Sequence, residues 1–321
     1  MNSNTNSSKR ILVPVLLGAG ACTLTAAGIF TNVFYSPLGS QNDDYHILAP
    51  FRTEEERERS LALINRLRAR PYESVSILSR DRLRLCGRYY HQADGAPLAI
   101  LCHGYRGTPV RDFCGGADIC FSEGLNVLMI EERAHCESEG HVISYGVNER
   151  FDVLAWTEYA VQRFGDGVKI LLAGISMGAA TVLMASALPL PSQVRGILAD
   201  CPYTSPDEII AEVGRSKGLP MKLLPVAAVT ARVLGGFSLR AASALDAVRT
   251  AKVPILLIHG EADDFVPCEM SRRIAAANFD LIDFQPFPEA GHGLSYLVDN
   301  NRYTALVRDF CKRIFAEESP A

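Results

Sequence analysis

Gly174-Ile175-Ser176-Met177-Gly178 stands directly behind the apolar run Val168-Lys169-Ile170-Leu171-Leu172-Ala173 and in front of Ala179, Ala180 and a helix-forming stretch. A strand that enters G-x-S-x-G and leaves it as a helix turns sharply and lifts the serine hydroxyl clear of the backbone. The flanking residues must be small, because strand and helix pass close together there. The same turn aims a helix N-terminus at the point where negative charge develops on a reacting carbon. Ser176 is therefore a candidate nucleophile. A tight turn with a capping serine is the bland alternative.

A serine hydroxyl is too weak an acid to attack at neutral pH without a base, and the chain holds partners in a telling order. Val253-Pro254-Ile255-Leu256-Leu257-Ile258-His259-Gly260 reads as a buried strand that ends in a turn carrying Asp263. Leu281 to Phe287 reads as another strand, followed by Glu289-Ala290-Gly291-His292-Gly293. Ser176, Asp263 and His292 each follow a strand end, where the reactive groups of open α/β sheets collect. An imidazole can take the hydroxyl proton and return it to a leaving group. A carboxylate can fix its tautomer. Asp264 competes with Asp263 for the acid role, and a loop histidine without a role is the alternative for His292.

A strand over 96–102 runs into His103-Gly104-Tyr105-Arg106-Gly107. In a site of this kind one backbone N–H for the oxyanion comes from such a loop and one from the residue after the nucleophile. Here these are Tyr105 and Met177. His103 precedes the nucleophile, so it and Gly104 are expected to organise the loop.

These motifs, with Glu132-Arg133-Ala134-His135-Cys136-Glu137-Ser138-Glu139-Gly140 between them, resemble the α/β-hydrolase-fold serine hydrolases. The likeness is to the monoacylglycerol-lipase-like and serine-aminopeptidase-like group, in the bacterial form with an N-terminal membrane segment. It covers roughly residues 74–316. It implies an α/β-hydrolase fold: a mostly parallel central sheet flanked by helices, with a small helical cap. It also implies ester or amide hydrolysis through an acyl-enzyme, with no cofactor and no metal. Arg133 and His135 carry over as loop-organising residues. Cys136 stands where the family's R-x-H-G-x-S has glycine.

Elsewhere the β-α alternation continues. A hairpin is expected over 75–90, with strands at 125–131, 194–200 and 281–287. Helices are expected at 150–164, 177–188, 268–277 and 294–316, an arrangement that builds a parallel sheet covered on both faces. Residues 204–247 hold three apolar helical stretches after a strand end. They read either as a cap that favours substrates with a hydrophobic part or as an enlarged crossover. Thr53 and Glu56 form a capping box for a charged helix ending at Pro71.

Lys9 and Arg10 precede a charge-free run from Ile11 to Asn42. Its core, Ile11 to Phe30, is long enough to cross a bilayer, and the basic flank places the N-terminus in the cytoplasm. Residues 1–35 thus read as a cytoplasmic tip and membrane anchor, 36–73 as linker and charged helix, and 74–316 as the hydrolase domain. A retained anchor puts that domain outside the cytoplasm. A cleaved signal peptide at Ala19-Gly20-Ala21 and a lipid-modified Cys22 are the competing readings.

A net charge of −4 gives no reason to expect nucleic acid. No C-x-x-C or H-E-x-x-H occurs. The nine cysteines are an odd number, with Cys102 and Cys201 as apolar fillers and Cys114 and Cys120 as a pair that sequence leaves free to bridge or not. The reading is an ester hydrolase. A peptidase or amidase, an acyl transferase and a non-catalytic binding protein stand beside it. Its partner is a small ester or amide with a hydrophobic part.

Overall fold

The computed structural model describes residues 25–37, 43–45 and 53–316. Its centre is an eight-stranded sheet in the order β1-β2-β4-β3-β5-β6-β7-β8. The strands are β1 (Glu73–Leu78), β2 (Arg84–Tyr90), β3 (Leu98–Cys102), β4 (Asn126–Ile130), β5 (Ile170–Ile175), β6 (Val194–Asp200), β7 (Ile255–Gly260) and β8 (Ile282–Phe287). β2 pairs antiparallel with β1 and β4, and β4 through β8 run parallel.

Near-continuous apolar strands mark a sheet covered on both faces. Leu98, Ile100, Ile170, Leu172, Ile197, Ile255 and Leu257 enter the core on one face. Their alternating neighbours Ala99, Leu101, Leu171, Ala173, Leu198, Leu256 and Ile258 enter the core on the other.

The helices are α1 (Glu54–Arg68), α2 (Pro109–Ser122), α3 (Glu149–Phe164), α4 (Met177–Ala185), α5 (Pro206–Ser216), α6 (Leu224–Val233), α7 (Ala244–Ala247), α8 (Cys268–Ala277), α9 (Ser295–Val298) and α10 (Asn300–Phe315). Thr53 caps α1 by accepting from the Glu56 N–H. The sequence reading passes over α2, whose middle holds Gly115-Gly116. Gly115 is there because the Tyr296 ring occupies the space a side chain would need. The single helix expected over 294–316 is broken at Asp299, which leaves helical backbone and caps α10 through the Arg302 N–H.

Two open readings are decided and a third lies outside the described residues. Residues 204–247 form a packed crossover rather than a roof over the site. α6 rests on the turn at Phe30–Phe34, and Phe237 meets Phe34 edge-on. Cys114 and Cys120 are both free. They lie on one helix about 9 Å apart along its axis, too far for a disulfide. The span expected to cross a membrane lies outside the described residues except for its end, from Thr25 on. Among the described residues no helix is long and apolar enough to cross one. The Cys22 and signal-cleavage readings also lie outside them.

Candidate active site

The strand–turn–helix at Ser176 is built by two glycines. A side chain on Gly174 would strike the Gly178 backbone, and one on Gly178 would strike the Cys102 carbonyl. Between them Ser176 takes φ 54°, ψ −115°, a conformation non-glycine residues avoid. Its N–H donates to the Asp200 carbonyl at 2.8 Å, and its own carbonyl accepts from the Ala180 N–H at 3.0 Å. The strained residue is held from both sides.

The three residues far apart in the chain meet here. His292 Nε2 lies 2.9 Å from Ser176 Oγ, and His292 Nδ1 lies 2.7 Å from Asp263 Oδ2. Asp263 is buried while Asp264 is exposed, so only the former can orient the imidazole. Asp263 Oδ1 accepts from the N–H groups of Phe265 and Val266 at 2.9 and 2.8 Å. Burial alone would raise the carboxyl's pKa. The hydrogen bonds from His259 and His292 outweigh it and hold the group far below the usual carboxylate range.

His259 is a residue that sequence reasoning passed over. It is fully buried. Its Nε2 faces the Val266 carbonyl at 2.8 Å and Asp263 Oδ2 at 3.2 Å, both acceptors, so Nε2 carries the proton. Ser271 Oγ lies 2.7 Å from the other nitrogen, Nδ1. The signal was available, because His259 stands four residues before Asp263 at the end of the same strand.

The loop after β3 lies against Ser176. A Cβ on Gly104 would come within 3.3 Å of the Ser176 Cβ. Asp112 Oδ2 accepts from the Gly104 N–H at 2.7 Å. His103 donates from Nδ1 to the Gly104 carbonyl at 2.9 Å and accepts at Nε2 from the Glu132 N–H at 3.1 Å. His135 repeats the pattern: Nδ1 donates to the Arg133 carbonyl at 2.9 Å and Nε2 accepts from the Arg106 N–H at 3.0 Å. Each ring therefore needs one neutral nitrogen. Burial agrees, lowering the pKa of His103 to about 4 and that of His135 well below the usual value. Arg133 donates to both oxygens of Asp152, at 2.6 and 2.7 Å, and to Asp81. Cys136 takes φ 48°, the left-handed conformation for which glycine is the usual choice. These hydrogen bonds tie the loop to the segment that follows β4.

A cavity of about 510 Å³ opens beside Ser176 and His292. Its walls come from the sheet (Leu101, Leu171, Leu198), α2 (Phe113, Ile119), α10 (Val307) and α1 (Ser60, Ile64). None of residues 204–247 lines it among those described. Two polar pairs interrupt the apolar wall: Arg111 with Asp112 at 2.6 Å, and Tyr303, which donates to Asp200 Oδ2 at 3.0 Å. Burial raises the Asp200 pKa to about 6.

No protein-family model matches the chain. It is 28% identical over 225 residues to the uncharacterized protein YqkD of Bacillus subtilis, which spans 69% of this chain and 73% of that one. It is 27% identical to the thiohydrolase aneE of Aspergillus aculeatus over 151 residues, 44% of this chain and 46% of that one. Among solved structures, the Pyrococcus furiosus esterase Pf2001 superposes with a TM-score of 0.65 at 20% identity, covering 88% of this chain and all of the other. Est1E of Butyrivibrio proteoclasticus gives 0.57 at 20% identity over 76% of this chain. The chain has the α/β-hydrolase fold.

Proposed function

We propose that this protein is a serine hydrolase of carboxylic esters with an apolar acyl part. One observation carries the reading: an unbroken chain Ser176–His292–Asp263, at 2.9 and 2.7 Å, stands at the mouth of a mostly apolar cavity. His292 takes the Ser176 proton as the hydroxyl attacks the carbonyl carbon. Asp263 holds Nδ1–H, so that Nε2 is the basic nitrogen, and stabilises the imidazolium. The N–H groups of Met177 and Tyr105 receive the oxyanion, each worth about 3 kcal/mol in the transition state. His292 returns the proton to the leaving alcohol. It then draws a proton from water as the water oxygen attacks the acyl carbon, and passes that proton to Ser176 Oγ as the acid leaves. Esters are favoured over amides because an alkoxide leaves with less help from a proton. The names of Pf2001 and Est1E's ferulic acid complex support the ester class.

The test is a fluorophosphonate probe together with p-nitrophenyl esters of graded chain length and aminoacyl anilides. The expected outcome is labelling of wild type and not of Ser176→Ala, with turnover of medium-chain esters. Faster cleavage of the anilides would move the reading to a peptidase. No labelling at all would leave a binding protein on a hydrolase fold.

The charge-free run after Lys9 and Arg10 supports a further part of the proposal, a membrane tether with the catalytic domain outside the cytoplasm. Full-length protein should resist an alkaline carbonate wash of membranes. Its recovery in the soluble fraction would overturn the tether.

A further inference from the structure

The described N-terminal segment ends in a π-helical turn, Phe30–Phe34. The last carbonyls of a helix have no partner within it, and here other residues satisfy them. Tyr105 Oη donates to the Val33 carbonyl at 2.9 Å. Arg106 Nη2 donates to the Asn32 and Tyr35 carbonyls, both at 3.1 Å. Tyr145 Oη donates to Val33 at 3.3 Å. Phe34, fully buried, wedges edge-on against Tyr145 and Phe237. Tyr145 in turn stacks on Tyr105, with ring centroids 5.1 Å apart. The chain then pairs along the loop that follows Gly140. The Ile143 N–H donates to the Phe34 carbonyl at 2.8 Å and the Ser36 N–H to the His141 carbonyl at 2.9 Å.

Two side chains of the loop beside Ser176 thus grip the backbone of residues 32–35. Within the loop the Gly104 carbonyl gathers the short links, from the Gly107 N–H at 3.0 Å and from His103 Nδ1 at 2.9 Å, and neither involves the Tyr105 or Arg106 side chain. Arg106 itself sits at φ 51°, a conformation that external contacts must hold. A loop so built has its shape set from outside.

We propose that residues 32–35 are a clasp that positions the Tyr105 N–H for the oxyanion, with Phe34 as its anchor. The inference rests on the hydrolase reading and extends it. The segment entering from the N-terminus is part of the machinery and not only a tether. Asn32, Val33, Phe34 and Tyr35 are positioning residues; none touches the reacting atoms.

The test uses full-length Phe34→Ala and Tyr105→Phe, with Phe34→Leu as the conservative control. An oxyanion donor acts in the transition state, so kcat should fall roughly tenfold to a hundredfold in Phe34→Ala while KM stays within about twofold. Affinity for an alkyl boronic acid, which mimics the tetrahedral state, should fall by the same factor. Affinity for the matching alkyl amide should hold, and Phe34→Leu should restore most of both. Amide hydrogen exchange over residues 103–107 should speed up in Phe34→Ala, a readout that does not need turnover. Wild-type turnover with unchanged kcat and exchange in both variants would overturn the clasp. So would equal losses in boronate and amide binding, which mean general loosening. An unlabelled, inactive wild type with faster loop exchange in Phe34→Ala would instead sink the hydrolase reading and leave the contact standing.

Discussion

The two halves of the candidate site are held in different ways. The acid–base half is local: Asp263, His259 and His292 all come from the exits of β7 and β8. There the Ala262 N–H donates to the Ala290 carbonyl at 3.0 Å, and Gly260 passes too close to Ala290 to carry a side chain. The oxyanion half is assembled from distant pieces. The loop at 103–107 donates hydrogen bonds to Asp112, His135 and the carbonyls of 32–35. A group that moves protons is fixed by its strand ends. A loop that offers one backbone N–H depends on whatever packs behind it.

The largest effect should fall on the local half. Asp263→Asn keeps the size of the side chain but loses the charge and favours the wrong His292 tautomer, so kcat should drop roughly ten-thousandfold. Asp264→Asn, on an exposed carboxyl, should cost less than about threefold. Ester kinetics on both variants, with circular dichroism to confirm folding, give the answer. Equal losses would break the distinction drawn between neighbouring carboxylates, and with it the account of how this half is fixed.

The same contrast explains what could be read before the fold was known. Strands β3 to β8 announce themselves as short apolar runs bounded by turns, and the triad follows from residues placed just past three of those ends. Spacing left Asp263 and Asp264 competing, and only the resemblance favours Asp263; burial and the bond to His292 single it out in the structure. What escaped was held by long-range packing. Asp112 lies on α2, whose glycines mask a helix that Tyr296 makes room for. The side on which the cavity opens escaped as well. The apolar residues of 204–247 suggested a cap, yet they are spent on Phe34 and on one another, and the cavity opens on the opposite core towards α1, α2 and α10. Phe34 itself looked like part of a membrane span, because a buried anchor and a lipid-facing residue are equally apolar in sequence.

Acid should weaken the oxyanion half first. His103 titrates at about 4 when folded because burial disfavours its charged form, whereas an unfolded histidine titrates near 6.5. The unfolded chain binds the extra proton between these values, so stability is fully present above about pH 6.5 and is lost as pH falls towards 4. The loss attributable to His103 is on the order of 3 kcal/mol. The Asp263 carboxyl is held so low that its contribution survives until far more acid conditions. Urea unfolding at intervals from pH 7 to 4 should therefore show a falling stability whose slope is smaller in His103→Gln. An identical slope in the variant would remove His103 as the source and with it the expected order of failure.

The smallest effect sits where the two halves meet. Ser176 is held at φ 54°, ψ −115° by its bonds to Asp200 and Ala180 and by the close passage of Gly174 and Gly178. Such a residue stores about 1–3 kcal/mol of backbone strain. Glycine relieves it, at an entropic cost of roughly 0.5–1 kcal/mol. Ser176→Gly should thus unfold about 1 kcal/mol harder than Ser176→Ala, while neither turns over substrate. The alanine comparison removes the hydroxyl from both variants, so the difference reads backbone strain alone. If Ser176→Gly proved no more stable than Ser176→Ala, the turn would be relaxed. The serine's exposure would then owe nothing to stored strain, and the tight glycine packing beneath it would only be filling space.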